Sequence, residues 1–93
     1  MHNFQDLKIW QRAMDIAEDT YILSADFPKE EKYDLTSQIR RSAISIPFNI
    51  SEGAGRNTNG EFKNFLGIAN GSSNELHTQL LLSHRLKLVQ KKK

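Results

Sequence analysis

An all-α fold, a bundle of long amphipathic helices, is the reading that three features of this chain support. Apolar residues recur at steps of three and four along almost its whole length, the period of a helix rather than the alternation of a strand. The pattern is punctuated at Phe27-Pro28 and again in the glycine-rich run from Gly53 to Gly60. With 93 residues, 38% hydrophobic and 26% charged, the chain has the composition of a folded domain and is too short for two cores. A single domain over 1–93 is expected.

The first helix is predicted near 6–26. Leu7, Trp10, Ala13, Met14, Ala17, Tyr21 and Ala25 form its stripe, and Arg12, Asp15, Glu18 and Asp19 fill much of the opposite face. Asn3 or Asp6 can cap its start, and Phe27-Pro28 closes it. Ile9, Ile16 and Ile22 lie off the stripe, so contacts on more than one side are expected.

The second helix is predicted near 32–54, with Pro28 in a first-turn position and Glu30 and Glu31 at the positive end of the helix dipole. Leu35, Ile39, Ala43, Ile46, Ile50 and Ala54 form one apolar stripe. Pro47 sits inside it, removes the bond to the Ala43 carbonyl and predicts a kink or a local break. Arg41, Ser45, Asn49 and Glu52 follow at steps of four, four and three. They are read as a hydrogen-bonded polar seam between helices or subunits, in which Arg41 and Glu52 are satisfied by neighbours.

Three glycines then separate this helix from a third, predicted near 59–88. Thr58-Asn59-Gly60-Glu61 matches a capping box. The loop lacks the Gly-Lys-Ser/Thr ending and the preceding strand that a phosphate-cradling loop requires. Phe62, Phe65, Leu66, Ala69, Ser73, Leu76 and Leu80 form the third stripe, in which Phe62 and Phe65 are expected to be buried. Gly67 and Gly71 each cost roughly 1 kcal/mol of helix propensity, which suggests the close approach of another backbone. Leu80–Val89 adds more apolar surface than one face needs, an argument for assembly of copies.

Chemistry is harder to find. The chain has no cysteine, which excludes disulfides, thiolate zinc sites and thiol catalysis. His77 and His84 are seven residues apart, whereas metal-binding histidines on a helix sit three or four apart. No catalytic residue, metal site or cofactor is expected. No apolar run approaches the ~20 residues of a membrane span, and the start MHNFQDLK lacks a signal peptide's apolar core, so a cytoplasmic protein is expected.

Charge is uneven. Residues 1–34 carry a net −4 and residues 35–93 a net +6, and no acid follows Glu75, whereas Arg85, Lys87, Lys91, Lys92 and Lys93 do. One part of the molecule should therefore attract polyanions.

The run from Gln38 to Arg56, with Arg40-Arg41, Ser45-Ile46-Pro47, Asn49-Ile50, Glu52-Gly53 and Gly55-Arg56, closely resembles the four-helix-bundle proteins encoded in intervening sequences of bacterial 23S ribosomal RNA genes. Matching positions extend to Phe4, Leu7 and Trp10 and to Glu61-Phe62, Phe65-Leu66, Ala69, Gly71-Ser72 and Glu75-Leu76, so nearly the whole chain is covered. The resemblance implies an up-and-down bundle of the four-helix type. The chain stops where the family's fourth helix would follow, so that helix is expected to be missing or truncated. The bundle is also similar to accessory proteins of diversity-generating retroelements, which form five-fold rings with a basic surface. A homo-oligomer, with a pentamer as the implied count, is therefore expected.

From this reading, a non-enzymatic homo-oligomer should bind ribosomal RNA or another nucleic acid through Arg40, Arg56, Lys63, Arg85 and Lys87, with Arg40 more exposed than Arg41. The alternative is an adaptor that uses its apolar surplus to hold a protein partner such as a reverse transcriptase. No membrane partner is expected.

Overall fold

The computed structural model describes residues 3–31 and 34–89. It contains three α-helices, α1 (Lys8–Ser24), α2 (Leu35–Ala54) and α3 (Asn59–Arg85), with short 3-10 turns at Phe4–Asp6 and Lys29–Glu31. Among the described residues there is no strand. Ser42 meets Glu75, Ser45 meets Ser72 and Gly53 meets Phe65, so α3 recedes as α2 advances and the pair is antiparallel. α1 and α3 both pack on α2, yet no pair of their α-carbons comes within 8 Å. The outcome is an up-and-down, three-helix layer of 46 × 21 × 18 Å, open along one side.

The helices are shorter than their apolar patterns. Asn3 caps the first 3-10 turn by accepting from the Gln5 amide, and Leu7 then turns extended, so α1 starts at Lys8. Its other end closes at Ser24, where the Phe27 amide donates to the Ser24 carbonyl at 3.1 Å. Asp34 precedes α2 in a non-helical conformation, and the first residues proposed for that helix, 32 and 33, lie outside the described residues. α3 begins where the capping box sets it. Thr58 Oγ accepts from the Glu61 amide and donates to the Glu61 carboxylate, each at 3.1 Å.

All six stripe residues of α2 are buried, with Ile39 and Ala43 at 0% exposure. That is the expected state of a helix packed on two sides. Pro47 is also buried, and α2 is assigned as one unbroken helix through it. The first stripe is displaced. Ala13, Ala17, Thr20 and Ser24 are the buried residues of α1, whereas Met14 and Tyr21 are exposed. Small side chains at those positions let α1 lie close against α2. Trp10 is half-buried and meets the Phe4 ring edge-on at 5.1 Å.

The glycines divide differently from the sequence reading. A Cβ at Gly53 would lie 2.6 Å from the Cβ of Phe65 and 3.0 Å from the Phe62 ring, so the close approach of backbones occurs here. Gly67 and Gly71 have nothing within 4 Å of that position, and both are exposed. Only Gly55 ends a helix, for Gly53 lies within α2 and Gly60 within α3. Phe62 and Phe65, expected in the core, are half-buried because they wall the Gly53 contact at the edge of the helix pair.

Opposite effects follow for glycine substitutions. Gly53→Ala should destabilise by about 1–3 kcal/mol through overpacking. Gly67→Ala and Gly71→Ala should each stabilise by up to about 1 kcal/mol through helix propensity. Urea unfolding of the three variants measures both signs.

Candidate nucleic-acid interface

Of the five cations proposed as a basic face, Arg40 and Arg56 have partners within the chain. Arg40 is docked on α1, where its Nε donates to Ser24 Oγ at 2.8 Å and its Nη2 to the Tyr21 carbonyl at 3.2 Å. Its guanidinium also sits 4.6 Å from the centre of the Tyr21 ring. Arg40 is therefore half-buried and Arg41 exposed, the reverse of the expected order. The reason lies in the neighbouring helix. Position 40 faces the last turn of α1, the negative end of its dipole, where the Tyr21 carbonyl accepts from Arg40 as well as from the Ala25 amide.

Arg56 is engaged as well. It forms an ion pair with Glu52 at 2.9 Å, one turn away, and its guanidinium lies 4.8 Å from the centre of the Phe65 ring. Lys63, Arg85 and Lys87 are exposed and make no ion pair among the described residues. Lys63 stands near the start of α3 and Arg85 at its end, about 33 Å apart at 1.5 Å per residue. One short duplex segment could span that distance, but the charge is concentrated at the far end.

The polar residues of α2 face α3. Ser45 and Ser72 hydroxyls are 2.8 Å apart, Ser42 Oγ donates to Glu75 at 2.9 Å, and Asn49 Nδ2 donates to both the carbonyl and hydroxyl of Ser45. Ser42, Ser45, Ser72, Glu75 and Arg41 border an open polar cleft of about 370 Å³. Glu52 stands outside this network, paired with Arg56 rather than Arg41. Arg41 lines the cleft without an ion pair among the described residues. The partners Ser72 and Glu75 had no stripe to mark them. The family resemblance marked both positions, and the spacing from Ser72 to Glu75, matching Ser42 to Ser45 in reverse, could have suggested the pairing.

The end of α3 carries the least ordinary backbone. The Leu88 amide donates to the Ser83 carbonyl and the Lys87 amide to the His84 carbonyl, both at 3.0 Å. This bond pair is a Schellman motif, with Lys87 at the position that needs a left-handed conformation. Lys87 has φ 62° and is the one non-glycine residue with positive φ among those described. Glycine adopts that conformation without penalty, whereas a residue with a Cβ is strained there. The turn sends Leu88 and Val89 back onto the core, where both are partly buried, and leaves Arg85 and Lys87 projecting. His84, Arg85, Lys87 and Val89 border an open recess of about 690 Å³. Lys91, Lys92 and Lys93 continue the basic run but lie outside the described residues.

Among the described residues, no three or more His, Cys, Asp or Glu side chains are grouped to hold a metal ion. No described helix is long and apolar enough to cross a membrane. His77 and His84 are exposed on α3.

Comparison with known proteins gives one family, described as 23S rRNA-intervening sequence protein, whose pattern matches residues 5–93. It is not a known enzyme family. No curated protein matches the chain.

The two adjacent arginines should separate on substitution. Arg40→Ala should destabilise by about 1–2 kcal/mol, because hydrogen bonds from a charged group and a cation–π contact are lost together. Arg41→Ala should stay within about 0.5 kcal/mol of the parent. Thermal unfolding followed by circular dichroism distinguishes them.

Proposed function

This chain belongs to the 23S rRNA-intervening sequence protein family, and we propose that it works as a non-enzymatic, self-assembling helical bundle that binds ribosomal RNA or another polyanion through the basic end of α3. The observation that carries this reading is Lys87. A lysine stands where the backbone favours glycine, so a cation is held at the turn at some expense in stability. Cations near a helix C-terminus also complement its dipole, but a lysine in relaxed geometry would serve that purpose equally. Arg85 stands beside it, the sequence supplies Lys91, Lys92 and Lys93, and no carboxylate follows Glu75. Such a cluster neutralises phosphates without reading bases, and several copies in one assembly would act together through effective concentration.

A second reading has its own support. Ile68, Leu82 and Leu86 lie along one side of α3 and are 47%, 44% and 53% exposed, and Phe48 of α2 is 64% exposed. Exposed apolar side chains gathered on one side favour a protein partner. An adaptor working through them would bind with little dependence on salt.

Filter binding of a 23S ribosomal RNA fragment at about 50 and 200 mM salt tests the first reading, because phosphate contacts weaken steeply over that range. Lys87→Gly should stabilise the fold by up to about 1 kcal/mol yet weaken RNA binding. Combined with Arg85→Ala, it should reduce the salt slope by about 0.7–0.9 for each contact removed. Affinity that ignores salt, or is unchanged in the double variant, would overturn RNA binding in favour of the adaptor.

A further inference from the structure

Two opposite charges face one cleft without meeting. Arg41 of α2 and Glu75 of α3 both border the open polar cleft of about 370 Å³ between these helices, yet they form no ion pair with each other. Both side chains are exposed, and Arg41 has no ion-pair partner elsewhere among the described residues. Glu75 accepts from Ser42 Oγ through Oε1, which leaves Oε2 without a hydrogen bond among the described residues. Gln79 borders the same cleft, and its Oε1 is buried without a hydrogen-bond partner. The cleft therefore offers donors at one charge, acceptors at the other and a spare acceptor beside them. Its volume falls within the roughly 300–1,000 Å³ of small-ligand sites.

This pairing of charges selects the ligand. The Glu75 carboxylate disfavours a bare phosphate, and the Arg41 guanidinium disfavours an amine. A planar group with two acceptors beside two donors satisfies both side chains. Guanine is such a group. Its N7 and O6 accept the two parallel N–H bonds of an arginine, and its N1–H and N2 amino group donate to a carboxylate. Adenine gives an arginine only N7, since the neighbouring N6 is itself a donor, and a pyrimidine gives a carboxylate a single donor group. In RNA these edges are open on unpaired bases, which is where proteins read them.

We propose that this cleft takes a guanine base, with Arg41 on its N7–O6 edge and Glu75 on its N1–N2 edge. RNA and free guanine nucleotides present the same edges, so either can supply the base. Arg85 stands about 15 Å beyond Glu75 along α3, which puts the cleft and the basic end within reach of one RNA strand. The site goes beyond the phosphate contacts proposed above and stands or falls apart from them.

Base substitution tests it on the whole chain. In fluorescence anisotropy, a short oligouridine carrying one guanine should bind at least about tenfold more tightly than the all-uridine strand, within the range a bidentate arginine–guanine pair supplies. Inosine, which lacks the N2 amino group, and 7-deazaguanine, which lacks N7, should each lose at least about threefold. Arg41→Ala, expected to leave stability nearly unchanged, should abolish both the guanine preference and the effect of 7-deazaguanine. Glu75→Gln keeps an acceptor for Ser42 and should remove the effect of inosine. Calorimetry with GMP and AMP separates the sources. GMP binding more tightly than AMP makes a free nucleotide sufficient, whereas a guanine preference confined to the oligonucleotide assigns the base to RNA. No guanine preference in either form would overturn the site, and salt-dependent binding of the oligonucleotides would then leave the polyanion reading standing. A guanine preference that survives both substitutions would overturn it as well.

Discussion

A side chain at position 53 would collide with Phe65 and crowd Phe62, so α2 and α3 meet near Gly53 at backbone distance. Much of the remaining structure depends on that approach. It fixes the antiparallel register, which in turn brings Ser45 opposite Ser72 and Ser42 opposite Glu75 further along the pair. Small residues on this seam permit contact, and their hydroxyls replace the water that contact removes. The same register carries the end of α3 to the level of the first turns of α2, where Leu88 and Val89 fold back on the core.

α2 bears the whole packing burden. The α-carbons of its two neighbours stay more than 8 Å apart, so both pack mainly on α2, and its apolar stripe is correspondingly buried along its full length. α1 uses a different device. Its contact face consists largely of Ala13, Ala17, Thr20 and Ser24, which contribute little apolar area. Arg40 compensates by fastening to the carbonyl of Tyr21, the hydroxyl of Ser24 and the Tyr21 ring. A residue drawn from the sequence as a phosphate contact is thus a tie between helices.

Function, on this view, gathers where the fold has spare chemistry. The ends of α3 differ sharply. The start is satisfied by Thr58 and Glu61, while the finish holds exposed cations on a strained turn. The two long sides of the layer also differ, with polar groups between α2 and α3 and an apolar groove between α1 and α3. The helical layer thus has one open apolar side, one polar side and one basic end.

The amino-acid sequence by itself determined the fold class, the number of helices and the buried face of α2, because periodicity records which side of a helix avoids water. It also determined the start of α3, since a capping box acts within four residues. Local signals of this kind need no knowledge of neighbours. Tertiary structure alone decided the rest. Gly53, read from the sequence as part of a helix-separating run, is the close contact rather than the helix-interior Gly67 or Gly71, because a glycine's role depends on what stands opposite it. Arg40 and Arg41 are adjacent and chemically identical, and only the position of α1 makes one a tie and leaves the other at the cleft. Glu52 found Arg56 because pairing one turn along the chain needs no distant partner, whereas Arg41 would have had to meet it across about three turns of helix. The left-handed turn at Lys87 left no mark in the sequence either, since glycine is its usual signal and the chain places a cation there instead.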